Sequence, residues 1–274
     1  MLSPVARQLD AGQPINWAHP LNHDLRSKWL VSPAGHPSYR GGGTLRDLCR
    51  RNNGTLTGGV AWNGSYARKG GWGCLEFDGT DDYIPITHTA SLVTSAGLTV
   101  SVWVQIDVNT QYDMIVSKTN GTNWTQGWGI YLQGAGSGTL SWFAGSYGTN
   151  LVTTANSSIV AGTWYHLVGT WDGSTSTSFY LNGTLVGSAT AGTVDTTNGL
   201  EIGRGNSNSF NLDGRLDDVA ILGRPWSAAQ VKQYYDLSRQ GYYGILNRTK
   251  RSLLNSVAAA AAAGRFLTLL GAGR

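Results

Sequence analysis

Leu98-Thr99-Val100-Ser101-Val102-Trp103-Val104 alternates apolar and other residues, which sets Leu98, Val100, Val102 and Val104 on one face of a strand. That face is expected in a core. Phe179-Tyr180-Leu181-Asn182-Gly183-Thr184-Leu185-Val186-Gly187 holds two further strand runs joined by Asn-Gly, a pair that adopts positive φ cheaply, as a two-residue turn between twisted strands demands. Trp164 to Trp171 is another run, closed by Asp172-Gly173, and Leu200-Glu201-Ile202-Gly203 is a short one. Short runs of this kind, parted by Gly, Asn, Asp, Ser and Thr clusters, extend from Leu25 to Asp236, a spacing that predicts a sandwich of antiparallel sheets.

Composition agrees. The 38 glycines of the 274 residues are costly inside helices and serve turns, and charged residues are only 13% of the chain, too few for helices laced by surface ion pairs. Only two helices are expected. Ser227 reads as the N-cap of Ala228 to Leu237, and Lys250 to Ala263 is Ala-rich with Gly264 as its stop. Residues 1–24 carry Pro4, Pro14 and Pro20 without periodicity and read as an extended arm.

The net charge of +4 is polarised: +6 over residues 1–70, −8 over 71–236 and +6 over 237–274. Basic ends around an acidic middle suit docking to an acidic partner or to a sister copy, with solvated surface charge as the competing account. No apolar run is long enough to cross a bilayer, so membrane insertion is not expected, and the N-terminus lacks the apolar stretch of a signal peptide. Cys49 and Cys74 either pair or stay as small buried side chains.

Leu75-Glu76-Phe77-Asp78-Gly79 followed by Asp82-Tyr83-Ile84-Pro85-Ile86 resembles the laminin-G-like, concanavalin A-like lectin/glucanase jelly-roll family. The resemblance runs on in order through Ile115-Val116-Ser117-Lys118, Trp164-Tyr165-His166-Leu167-Val168, Asp213-Gly214-Arg215-Leu216-Asp217-Asp218-Val219-Ala220-Ile221 and Pro225-Trp226-Ser227. Upstream, Leu25 to Val31 looks like the first strand, and Asp47 with Asn53-Gly54-Thr55-Leu56 like the turn into the second. It implies an all-β fold: a two-sheet antiparallel jelly-roll sandwich over residues 25–236, between the arm at 1–24 and a partly helical, basic, Ala/Leu-rich tail at 237–274.

Fold leaves function open, so the site residues have to decide. Glycan cleavage in such a fold needs paired carboxylates. The chain has two glutamates, Glu76 and Glu201, in separate blocks, and no Gly-x-Ser-x-Gly elbow. His166, alone in a strong strand block, reads as structural. A non-enzymatic protein is therefore expected. What the resemblance implies for metals is calcium, held by aspartates and turn carbonyls, with Asp78, Asp82, Asp213 and Asp217 as ligands, beside Asp81 and Asp218 in the same blocks; simple turn formation is the competing account. A glycan site needs exposed rings among polar neighbours, and Trp124, Trp128, Trp142 and Tyr147, in or beside the polar stretch Thr119 to Asn150, are the candidates, with packing of loops and edge strands as the alternative. Arg239, Arg248, Lys250, Arg251, Phe266, Leu267 and Leu270 are the expected docking residues of the tail; nucleic acid is a poor partner for them because no aromatic-basic motif accompanies the charge. The function expected is that of a virion surface or decoration protein of phage type, its lectin-like body docked to capsid or sister copies through its ends. The alternative is a carbohydrate-binding or adhesion module, extracellular or at a cell surface.

Overall fold

In the computed structural model the described residues are 15, 17–30, 43–67, 73–108, 112–121, 124–133, 138–155, 158–194, 197–205 and 210–240. The strands are, in order, β1 (Leu25–Trp29), β2 (Thr44–Leu45), β3 (Gly54–Thr55), β4 (Ala61–Asn63), β5 (Cys74–Asp78) and β6 (Ile84–Ile86). Then come β7 (Leu98–Ile106), β8 (Asp113–Thr119), β9 (Gly127–Gln133), β10 (Thr139–Ala144) and β11 (Leu151–Thr153). The set closes with β12 (Trp164–Trp171), β13 (Ser176–Leu181), β14 (Thr184–Thr190), β15 (Leu200–Ile202), β16 (Asp213–Leu222) and one helix, α1 (Ala228–Ser238). An eight-stranded sheet runs β14-β13-β12-β7-β16-β5-β4 with β1 beside β16, and a six-stranded sheet runs β11-β10-β9-β8-β15-β6. Their pairings are antiparallel. This is the two-sheet jelly-roll sandwich read from the sequence.

Leu98, Val100, Val102 and Val104 face the other sheet, fully buried in the central apolar cluster. The opposite face of β7 is buried too, because α1 lies across it. Trp103 stacks on Tyr235 with centroids 5.7 Å apart and donates from Nε1 to Ser238 Oγ, while Ser101 Oγ and His166 Nε2 lie 2.9 Å apart beneath the helix. Ser227 caps α1 as expected: its hydroxyl accepts from Gln230 N, and the Gln230 side chain accepts from Ser227 N. Asn182 and Gly183 turn β13 into β14 with φ of 50° and 80°, the left-handed pair that the Asn-Gly signal requires.

One expectation needs correction. The described part of residues 1–24 is not an extended arm: Pro20–Asn22 form a 3-10 turn, and Ile15 and Leu21 are buried against Leu222, Trp226, Val231 and Tyr234. Arg224 ties the segment down by donating to Pro20 O at 2.6 Å and His23 O at 2.9 Å. The body thus starts earlier than residue 25. Of the two open cysteine readings, the unpaired one holds: Cys49 and Cys74 are free thiols, half-buried and buried. The second helix expected at Lys250 to Ala263 lies outside the described residues, as does the rest of the tail beyond residue 240.

Candidate functional site

Strand parity sorts the four aromatic candidates. Trp128 in β9 and Trp142 in β10 stand at the inward positions of their strands and are buried in the central core, Trp142 donating from Nε1 to Thr177 Oγ1 at 2.5 Å and lying flat on Gly169. Neither ring can offer a face to a ligand, which corrects the expectation for both. The polar look of the segment comes from its loops and from outward residues such as Gly129 and Ser141, not from exposure of the indoles.

Trp124 and Tyr147 do come together, on the outer face of the six-stranded sheet. They line an open pocket of about 530 Å³ with Tyr112, Asp113, Met114, Tyr131 and Phe210. β8 supplies Asp113 and Met114, β9 supplies Tyr131, and the other rings come from loops. The rings meet edge to face: Trp124 and Tyr147 centroids lie 5.4 Å apart, Trp124 and Phe210 5.2 Å, Tyr112 and Phe210 5.9 Å. Beneath them Phe143 sits over Gly129, where a Cβ would stand 2.8 Å from the ring. Tyr112 and Phe210 are exposed at the mouth, whereas Trp124, Asp113 and Tyr131 are buried in the wall, so Trp124 is not the exposed ring that its polar sequence neighbours suggest.

Two of these rings are held against their backbone preference. Trp124 and Phe210 have φ of 44° and 63°, a region that bulky side chains rarely occupy. Backbone bonds lock both: Tyr147 N donates to Trp124 O at 2.9 Å, and Met114 N donates to Phe210 O at 2.8 Å. Strain of this kind, about 1–3 kcal/mol per residue, persists where surrounding structure enforces it and concentrates at binding sites. Burial pushes the phenols of Tyr131 and Tyr147 above the usual tyrosine range, so both present neutral hydroxyls. Sequence reasoning missed Tyr112, Asp113, Met114, Tyr131 and Phe210. One signal was available: Phe210 is a single large aromatic in the polar run Asn206 to Asn211.

The acidic candidates divide similarly. Asp78, Asp81 and Asp82 bring carboxylate oxygens within 4.8 Å of one another and could hold a metal ion. Asp82 is buried, and that desolvation pushes its carboxyl above the ordinary range; its Oδ2 accepts from Asp78 N at 3.0 Å. Asp213 stands opposite Asp78 in the β16 and β5 register but is not one of that group; its carboxyl is likewise raised by burial and by Asp107 and Asp78. Asp217 does not join them: it is buried four residues further along β16, about 13 Å away at strand rise, paired in register with Trp103. Of the docking residues, Arg239 is exposed at the C-cap of α1 and 3.4 Å from Asp236; Arg248, Lys250, Arg251, Phe266, Leu267 and Leu270 lie outside the described residues.

The two glutamates face opposite sides of the molecule. Glu76 is outward on β5 and held by Arg215 and Asn63, and Glu201 is outward on β15 and held by Arg204 through two bonds of 3.1 and 3.0 Å. At least the sheet spacing of about 10 Å separates them, so they make no hydrolytic pair. His166 is fully buried between Trp103, Tyr234 and Tyr235. Among the described residues no helix is long and apolar enough to cross a membrane.

Comparison with known proteins places this geometry. The model of a family described as the concanavalin A-like lectin/glucanases superfamily matches residues 78–232. No curated protein matches the chain. Among solved structures it is similar to the binding domain of Paraclostridial Mosquitocidal Protein 1, with a TM-score of 0.59 at 18% identity over 80% of this chain and 53% of that one. It is also similar to the botulinum neurotoxin serotype D binding domain, TM-score 0.58 at 13% identity over 80% and 53% of the two chains. A third, the binding domain of botulinum neurotoxin DC solved in complex with rat synaptotagmin II, gives 0.59 at 15% identity over 80% and 52%. The chain spans about half the length of these structures, and at such identities the likeness concerns the fold.

Proposed function

The chain belongs to the concanavalin A-like lectin/glucanases superfamily, and we propose that within it the protein is a non-enzymatic binding module that takes a carbohydrate in the aromatic pocket of its six-stranded sheet. The observation that carries this reading is the pair of strained rings, Trp124 and Phe210, locked beside Tyr112 and Tyr147 around an open pocket. Ring faces suit the CH-rich faces of sugars, and the hydroxyls of Tyr112 and Tyr147 supply hydrogen bonds that fix orientation. Calcium is the ion we assign to Asp78, Asp81 and Asp82, whose hard oxygen donors suit it. The separation of a basic N-terminal stretch and a basic tail from an acidic middle favours a setting: display on a virion, with the ends docked to capsid proteins or sister copies.

A glycan array probed with the full chain and with Tyr112→Ala and Phe210→Ala tests the pocket. Both side chains are exposed, so the variants keep the fold. Binding to a defined glycan class that drops at least tenfold in each variant supports the reading; silence of the full chain, or unchanged binding by both variants, overturns it. Deletion of residues 241–274 tests the setting, since it should abolish particle incorporation while leaving a folded body.

A further inference from the structure

On the other sheet, under α1, lies a polar cluster that no ligand can reach. Lys28 comes from β1 and Asp218 from β16, both side chains fully buried, with Lys28 Nζ donating to Asp218 Oδ1. Tyr234 of α1 closes the triangle: its hydroxyl accepts from Lys28 Nζ at 2.7 Å and donates to Asp218 Oδ2 at 2.6 Å. Rings and aliphatic side chains pack around it. Trp226 and His166 pack on the Tyr234 ring at 4.9 and 5.6 Å, and Val168, Ala220, Leu222 and Val231 belong to the same cluster. Asp218 is also strained, with φ of 57° in a bulge between Asp217 and Ala220. The bulge re-aims its side chain out of the regular alternation and toward Lys28.

A buried ion pair recovers little stability, because desolvation offsets the Coulomb attraction, so the chain gains little by placing two charges here. Held in contact and shielded from water, that pair is set for condensation. We propose that Lys28 and Asp218 form an intramolecular isopeptide bond that joins the first strand to the last. One ammonium proton passes to the carboxylate, leaving a neutral amine beside a carboxylic acid. The Nζ lone pair attacks Cγ and the C–N bond forms. The Tyr234 hydroxyl takes the surplus proton from nitrogen and gives its own to the departing oxygen; the C–O bond breaks and one water leaves. The product is a secondary amide, and no oxidant or other co-reactant is consumed. Tyr234, touching both reacting groups, is the catalytic residue of the step. None of this depends on the pocket or its ligand.

Mass spectrometry of the denatured full chain is the test. The expected mass lies below that of the sequence by one water, about 18 Da, and a tryptic digest yields a branched peptide joining the segment that begins at Ser27 to the one that begins at Leu216. Lys28→Met should restore the full mass. Tyr234→Phe keeps the ring and loses the proton relay, so condensation should slow by about a hundredfold and leave uncondensed chains in the preparation. The full sequence mass in the wild-type chain, with the two tryptic segments recovered separately, overturns the proposal. So does a water loss that survives in Lys28→Met.

Discussion

Replacing Lys28 by Met and Asp218 by Asn together separates a covalent tie from an ion pair by the sign of the effect. Asn tolerates the left-handed backbone of position 218 and can still accept from Tyr234, and Met fills the space of the lysine stem. For an ion pair, exchange of two buried charges for neutral groups is close to neutral or stabilises by about 1–4 kcal/mol. An amide closes a loop between residues 190 apart in sequence. In the chain-entropy treatment of cross-links, that removes about 18 cal/mol/K from the unfolded ensemble, or about 5 kcal/mol at 25 °C. In a body of this size, loss of the tie lowers Tm by about 10–20 °C. Urea unfolding at neutral pH, followed by tryptophan fluorescence, is the assay. The variant should unfold at lower urea and with a larger m-value, since its unfolded state is no longer held compact. A double variant as stable as the wild type, or more stable, with an unchanged m-value refutes the reasoning.

Four other outcomes follow from the packing, the titrating groups and the acidic cluster. Gly169→Ala should destabilise by about 3 kcal/mol, because an added Cβ would stand 2.2 Å from the Trp142 ring, which Thr177 holds in place; thermal unfolding within about 1 °C of wild type would show that the indole can move aside. Burial raises both thiols to about 12, so Cys49 and Cys74 in the folded protein should resist an aromatic disulfide reagent at pH 8 and react once denaturant is added; prompt labelling of the native chain contradicts this. Asp82 and Asp213 have raised folded pKa values and so cost stability at neutral pH, a cost relieved as pH falls through those values; Glu76, lowered by Asn63 and then Arg215, contributes stability above its unfolded pKa that is lost as pH falls through its folded one. Calcium at ten times its Kd should add about 1.4 kcal/mol at pH 7, and Asp82→Asn should abolish the gain; a Tm indifferent to calcium and to chelator removes the ion from the account.

What the sequence disclosed, it disclosed through local chemistry. Asn182-Gly183 and Ser227 act within a few residues of themselves, and β7 carries its period in its own side chains, so each reads off a short window. Exposure does not work that way. Trp128 and Trp142 sit among glycines and hydroxyl residues, yet parity within β9 and β10 sends them inward. The pocket draws on β8, β9 and the loops bearing Trp124, Tyr147 and Phe210, and only register across three strands brings them together. Lys28 carried no signal of burial at all. A lysine in a strand reads as a surface residue until the partner from β16 and the cover from α1 are in place.

These placements account for one another. A sandwich buries the inner faces of its sheets and has two outer faces left. Here α1, Trp226 and the segment around Leu21 cover the outer face of the eight-stranded sheet over β1, β7, β12 and β16, which turns Ser101, Trp103, His166 and Lys28 into interior residues. Along β8 to β10 no described element gives the six-stranded sheet such a cover. Its small apolar cluster of Met114, Trp124, Tyr131 and Phe143 is bordered instead by Tyr147 and Phe210; Trp124 and Phe210 are held in left-handed backbone, which costs free energy, and Tyr112 and Phe210 stand exposed. A surface selected for stability alone would have closed over that cluster with aliphatic side chains in relaxed conformations. Keeping it open and rigid is what recognition requires, since ring faces fixed before the ligand arrives lose little entropy on binding.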